Sequence, residues 1–190
     1  MRIGLVADTH MPGSLADLWP QAKDALSGVD CILHAGDLHT LDIVDELEKL
    51  APTYVSIGNG DIGIVDERLK HNWMFEFEGV HVGLIHHFPS PLRKSPEIIN
   101  KYVARHFDRT PDVVIFGHTH FEGVYQVGKL LCVNPGSPTL PRNQSVRMGT
   151  MGYLDVSEGQ VSASIFQITQ SGLEPHESLE TAQPVVLSVI

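Results

Sequence analysis

Two cysteines among 190 residues are too few for a disulfide framework. Cys31 and Cys132 each lie in an apolar, strand-like run, which suits small buried hydrophobes, with their pairing left open. Basic residues are also scarce: 13 Lys and Arg against 23 Asp and Glu leave a formal charge of −10. A surface of that sign repels polyanions, so extended binding along nucleic acid is not expected and any phosphate chemistry has to be local. Long apolar runs are missing too. No stretch approaches the roughly 18 to 20 residues that span a bilayer. The first apolar run, Ile3 to Ala7, is too short for a signal peptide and meets Asp8 and His10 at once. A cytoplasmic protein without membrane contact is the expectation. The Gly-rich phosphate loop of the nucleotide kinases does not occur, which argues against phosphoryl transfer from ATP.

What is present is an ordinary globular balance. With 42% hydrophobic residues the chain can bury a core, and its length fits one domain. Periodicity predicts strands at Arg2–Ala7, Asp30–His34 and Thr53–Ile57, separated by helices that start near Ser14 and Leu41. Pro20 kinks or delays the first helix. This βαβαβ run implies an open, mostly parallel sheet. Beyond Asp61 the pattern becomes antiparallel, with strands at His71–Glu78 and Val80–His86, a helix at Pro96–His106 and a buried strand at Asp112–Phe116. Hairpins are read at Gly128-Lys129 and Glu158-Gly159. Residues 1–168 form the domain in this reading, and 169–190 form a weakly structured tail or extension.

Polar ligands follow successive strands: Asp8-Thr9-His10, Gly36-Asp37, Gly58-Asn59, His86-His87 and Gly117-His118-Thr119-His120. In open α/β sheets the ligand site lies beyond the carboxyl ends of the strands, so these distant residues are expected to converge. Two carboxylates, one amide oxygen and four imidazoles exceed what a single metal ion needs, so two ions are implied. The mixed nitrogen and oxygen set suits manganese, taken first, or zinc, iron, nickel or cobalt.

The series Asp-x-His, Gly-Asp, Gly-Asn, His and Gly-His-x-His resembles the calcineurin-like metallophosphoesterases. The chain's size, His34 before Gly-Asp, and the run Asn134-Pro135-Gly136-Ser137 look like that family's small bacterial and archaeal phosphodiesterase branch, to which the retromer scaffold subunit is related. The resemblance implies an α/β fold, an αββα sandwich of two mixed β-sheets flanked by helices. It also implies that Asp8, His10, Asp37 and His120 hold one ion, and that Asp37, Asn59, His86 and His118 hold the other. Between the ions a bridging hydroxide would attack phosphorus in line. The expected function is hydrolysis of small phosphodiesters. Phosphomonoester hydrolysis and a non-catalytic docking scaffold are the alternatives, and a homo-oligomer is a possibility.

There is one departure. Many relatives carry a proton-donating His after Gly-Asn, and here that position is Gly60. His87 or His39 is taken as a partial substitute, a loss otherwise worth roughly 10² to 10⁴ in rate. Bland readings apply elsewhere. Asp61 caps or orients the Asn59 turn, His34 is a hydrogen-bond donor behind the ligands, and Asn134 and Gly136 shape a turn beneath the site. Arg142 reads as an exposed loop residue before it reads as a phosphate contact. His71, His81, His106 and His176 read as surface or helix-end residues, and the loop Phe88–Pro96 is placed to line the pocket.

Overall fold

The computed structural model describes residues 1–142, 148–176 and 185–188. Strands β1 (Arg2–Val6), β2 (Cys31–His34) and β3 (Thr53–Ser56) alternate with helices α1 (Pro20–Leu26) and α2 (Asp42–Glu48). A short β4 (Leu69–Lys70) follows, then β5 (Asn72–Phe77), β6 (Val80–Ile85), α3 (Pro96–His106) and β7 (Val113–Ile115). The remaining strands are β8 (Gly123–Val127), β9 (Leu130–Asn134), β10 (Thr150–Ser157), β11 (Gln160–Thr169), β12 (Gly172–Pro175) and β13 (Val185–Ser188).

Among the described residues these strands form two mixed sheets. The first runs β12, β11, β10, β1, β2, β3, β4, with β13 also paired to β11. The second runs β5, β6, β7, β9, β8. In the first, β1 to β4 are parallel, but β10 joins β1 antiparallel and brings β11 to β13 with it. The expectation of a mostly parallel first sheet is corrected by this addition, whose pairing spans about the whole chain and leaves no local signal. Residues from the tail region supply two of these strands, β12 and β13. Residues 177–184 and 189–190 of that region lie outside the described residues.

Alternation along the strands builds the layers. Ile3, Leu5, Ala7, Cys31 and Leu33 point inward to meet Val82, Leu84, Val113 and Ile115 of the second sheet. Their neighbours Val6 and Ile32 point outward onto Leu26 of α1 and Ile43 and Leu47 of α2. On the far side Val114 and Cys132 pack beneath Ile99 and Val103 of α3. The result is helices, sheet, sheet, helix. A fully buried residue such as Leu33 contributes about 1.5 to 3 kcal/mol, and truncating it to Ala costs about 2 to 5. Cys31 and Cys132 sit in different layers as free thiols, and burial pushes both up to about 12.

Helix α1 begins at Pro20, not near Ser14. Proline lacks the N–H that a helix interior needs and is tolerated in the first turn, so it delays the start. Ser14 instead donates its hydroxyl hydrogen bond to the Thr9 carbonyl. The loops after β1, β2, β3, β6 and β7 all leave at the carboxyl ends of parallel strands, and there the site is assembled.

Candidate metal centre

Six non-glycine residues of these loops hold left-handed backbone: Asp8, His10, Asp37, His39, His118 and His120, with φ between 47° and 78°. The other two such residues among those described, Glu78 and Glu158, each precede a glycine in a hairpin turn. Left-handed backbone is costly for residues with a Cβ and collects at functional sites. Here it aims side chains inward. Gly36, at φ 90°, lets the chain pass beside His86, whose Nδ1 would lie 2.8 Å from a Cβ at that position.

Two clusters result. In the first, one ligand atom each from Asp8, His10 and His120 lie within 4.8 Å of one another, and in the second the same holds for Asp37, His86 and His118. Asn59 belongs with the second, its Oδ1 3.0 Å from His118 Nδ1 and 3.3 Å from His86 Nε2. The clusters touch through His10 Nε2, 3.6 Å from Asp37 Oδ2. All seven residues expected as ligands are thus brought to one place.

Proton positions follow from the outer partners. His86 Nδ1 lies 2.7 Å from the Ala35 carbonyl and His120 Nδ1 lies 2.6 Å from the Leu140 carbonyl. A carbonyl only accepts, so both Nδ1 atoms carry hydrogen and both rings turn Nε2 inward. Each Nε2 faces a carboxylate oxygen, His86 at 3.5 Å from Asp37 Oδ1 and His120 at 3.8 Å from Asp8 Oδ1, and a second imidazole nitrogen, His118 Nδ1 at 3.2 Å and His10 Nε2 at 3.0 Å respectively. Such a gathering of nitrogen and oxygen atoms is held together by hydrogens shared between the rings or by a cation among them. Protonating the ring is disfavoured at His86, because burial lowers its pKa. Asp8 adds a second sign. It is fully buried, its Oδ1 accepts from the His118 N–H, and its Oδ2 has no hydrogen-bond partner among the described residues. Burial first, then the nearby Asp37 and Asp61 charges, hold its carboxyl well above the usual range. The donor set fits divalent transition-metal ions.

The surrounding residues keep this arrangement still. Asp61 accepts backbone hydrogen bonds from Asp37, Leu38, His39 and Gly58, so its reach exceeds the turn it was expected to orient. His34 accepts from the Gly36 N–H at Nδ1, so its proton sits on Nε2 and goes to Thr9 Oγ1. Asn134 donates to the Gly117 carbonyl and accepts from the Gly136 N–H, and Ser137 donates to the Asp8 carbonyl. His176 departs from its surface reading: it is buried, with Nε2 3.0 Å from Glu122.

His39 lies on the outer side of His10, with Nε2 2.8 Å from His10 Nδ1. Its ring also lies over Gly60, where an added Cβ would stand 2.9 Å from His39 Cδ2. His87 is exposed and flanks His118, with ring centroids 4.9 Å apart. Two clefts adjoin the clusters. One, of ≈ 380 Å³, is lined by His118, Thr119, His120, Leu140, Pro141 and Arg142. A second, of ≈ 390 Å³, shares Thr119 and Arg142 with it and is walled by the loop from Ser90 to Arg93. Sequence reasoning passed over Arg93, whose place here depends on tertiary packing alone.

A two-sheet sandwich with its ligand loops gathered at one edge is the architecture of the calcineurin-like phosphoesterase class. The chain belongs to that family, since the calcineurin-like phosphoesterase superfamily domain matches residues 1–159. A probable metallophosphoesterase of Methanothermobacter thermautotrophicus is 39% identical over 144 residues, 75% of this chain and 80% of that one. A phosphodiesterase of Methanocaldococcus jannaschii is 27% identical over 152 residues, 72% of this chain and 83% of its own length. In fold, the chain is similar to vacuolar protein sorting 29 of Cryptosporidium parvum, with a TM-score of 0.78 and 16% identity over 99% of this chain and 98% of that one. Among the described residues no helix is long and apolar enough to cross a membrane.

Proposed function

We propose that the chain hydrolyses small phosphodiesters with two divalent cations, manganese foremost, held by Asp8, His10, Asp37, Asn59, His86, His118 and His120. The observation that carries this reading is the pair of adjoining clusters whose ring nitrogens and unpartnered Asp8 oxygen face one another. Bound there, two divalent cations would lower the pKa of a water and neutralise charge developing on the nonbridging phosphate oxygens. The chain's own part is to hold the ligands. Asp37 faces both clusters, Ala35 and Leu140 fix the tautomers of His86 and His120, and Asp61 fixes the loop that carries Asp37. Water adds across one P–O bond, giving a monoester and an alcohol.

The alcohol leaves as an alkoxide unless a proton reaches it. His39 is the better placed donor, because its ring fills the space above Gly60. Its Cδ2–Nε2 edge faces Gly60 and its Nδ1 faces Gly13, so the proton it can give toward Gly60 is the one on Nε2, which it shares with His10 Nδ1 at 2.8 Å. His87 flanks the site at His118. If either ring donates, its change to Ala slows a diester with a poor leaving group by about tenfold or more and spares one with a good leaving group. Unchanged turnover of the poor substrate across pH in both variants removes the assignment.

The class of reaction is tested by comparing bis(p-nitrophenyl) phosphate with p-nitrophenyl phosphate on the manganese-loaded chain. Faster turnover of the diester supports the reading, and faster turnover of the monoester replaces it with phosphomonoester hydrolysis. A docking scaffold, the third reading, gives no reason for a buried carboxylate oxygen to stand without a partner.

A further inference from the structure

The larger cleft beside the metal centre has a chemistry of its own. Its wall includes two guanidinium groups, Arg93 and Arg142, carried by separate loops, and four apolar or aromatic side chains, Leu92, Phe116, Phe121 and Tyr125. Among the described residues no carboxylate lines it. Among the described residues neither arginine has an ion-pair partner, whereas Arg2 is paired with Asp155 and Arg68 with Asp45 and Asp66. In a chain of net charge −10, two guanidiniums at one cleft, with no carboxylate beside them among the described residues, are the place where an anion is attracted.

The apolar side of the cleft is built for something flat. Phe116 is buried and forms the floor, while Leu92 and Phe121 are 73% and 51% exposed at the mouth, a cost in water that a bound ring would relieve. Tyr125 folds back along β8 over Gly123, where any Cβ would run into its phenol, so glycine at that position is what lets the ring lie in the wall. The Tyr125 hydroxyl and both guanidinium groups make no hydrogen bond within the described residues. The volume of ≈ 390 Å³ falls in the range of sites for molecules of nucleotide size. Thr119 links it to the centre, standing between His118 and His120 in the chain and lining both clefts.

We infer that this cleft binds the non-reacting part of a nucleotide-containing diester, with the base against Phe121 and Tyr125 and a second phosphate on Arg93 and Arg142. The inference rests on the reading that the adjoining site cleaves phosphodiesters. Binding energy from such a remote group would favour substrates that bear it over simple diesters.

The test separates the two claims by using the full chain stripped of metal. ADP, adenosine and inorganic pyrophosphate are titrated by calorimetry in the presence of chelator. The expected result is that ADP binds more tightly than either fragment, and that Arg93→Ala and Arg142→Ala each weaken ADP by about tenfold. Phe121→Ala should weaken ADP and leave pyrophosphate as it was. Equal ADP affinity in the doubly substituted chain, or ADP no tighter than pyrophosphate, overturns the assignment. Turnover of bis(p-nitrophenyl) phosphate by the metal-loaded chain is measured in parallel. Turnover without ADP binding overturns the cleft alone, while arginine-dependent ADP binding without turnover supports the cleft and overturns the diesterase reading.

Discussion

Asp8 and Asp61 are both fully buried carboxylates at the same edge of the sandwich, yet they are treated in opposite ways. Asp61 receives four backbone N–H groups, at 2.6 to 3.1 Å, from the loops after β2 and β3. Asp8 receives one, from His118, and leaves Oδ2 unpartnered. A buried charge is costly unless fully paired. Asp61 therefore stabilises the folded chain by itself, whereas Asp8 is the carboxylate that the proposed metal centre would satisfy. One carboxylate builds the frame and the other awaits what the frame is for.

The largest effect that would break this comparison lies at Asp61. Asp61→Ala leaves four buried donors unmet, and should cost about 3 to 5 kcal/mol, several charge-assisted hydrogen bonds being lost together. Urea unfolding of the chelated chain measures it, and a loss below about 1 kcal/mol would mean that Asp61 is no brace. The next largest effect is pH dependence at His34, which lies between the two regions. Burial pushes this imidazole down to about 4. As pH falls below the unfolded value of ~6.5 the unfolded chain takes up a proton that the folded chain refuses until about 4, so stability is present above pH ~6.5 and lost through that window, by on the order of 3 kcal/mol. His34→Gln should flatten the fall in urea midpoint between pH 7.5 and 4.5, both roughly placed to bracket the window. A slope unchanged by the substitution would assign the loss to other groups.

The smallest effect has the opposite sign. Asp8→Asn removes a buried carboxyl whose Oδ2 has no partner among the described residues, so the chelated chain should gain about 1 to 2 kcal/mol. The same variant should lose part of the rise in melting temperature that manganese gives the unaltered chain. A destabilised Asn variant would place Asp8 with Asp61 as a structural carboxylate and end the contrast between them.

Much of this edge was legible in the sequence, because each ligand stands one to five residues after a short apolar strand and parallel strands end on the same side. Asp37 and His118 could be placed that way without knowing which strands pair. Asp61 was legible only in part. Its neighbours in sequence pointed to the Asn59 turn, but its bonds to Asp37, Leu38 and His39 depend on β2 lying beside β3. The delayed start of α1 was signalled by Pro20. The pairing of β10 with β1, by contrast, joins residues some 150 positions apart and has no local signature. Arg93 was missed for the same reason: an arginine in a proline-rich loop reads as solvated until Phe121 and Arg142 are seen across from it.

The most direct test of the central claim is the metal content of the gently purified chain, by elemental analysis, with diester hydrolysis followed before and after chelation. The account predicts about two ions per chain, close to one in Asp8→Asn, and hydrolysis that disappears with the chelator and returns with manganese. A chain that arrives without metal, takes up none from excess manganese or zinc, and is indifferent to chelation would contradict it.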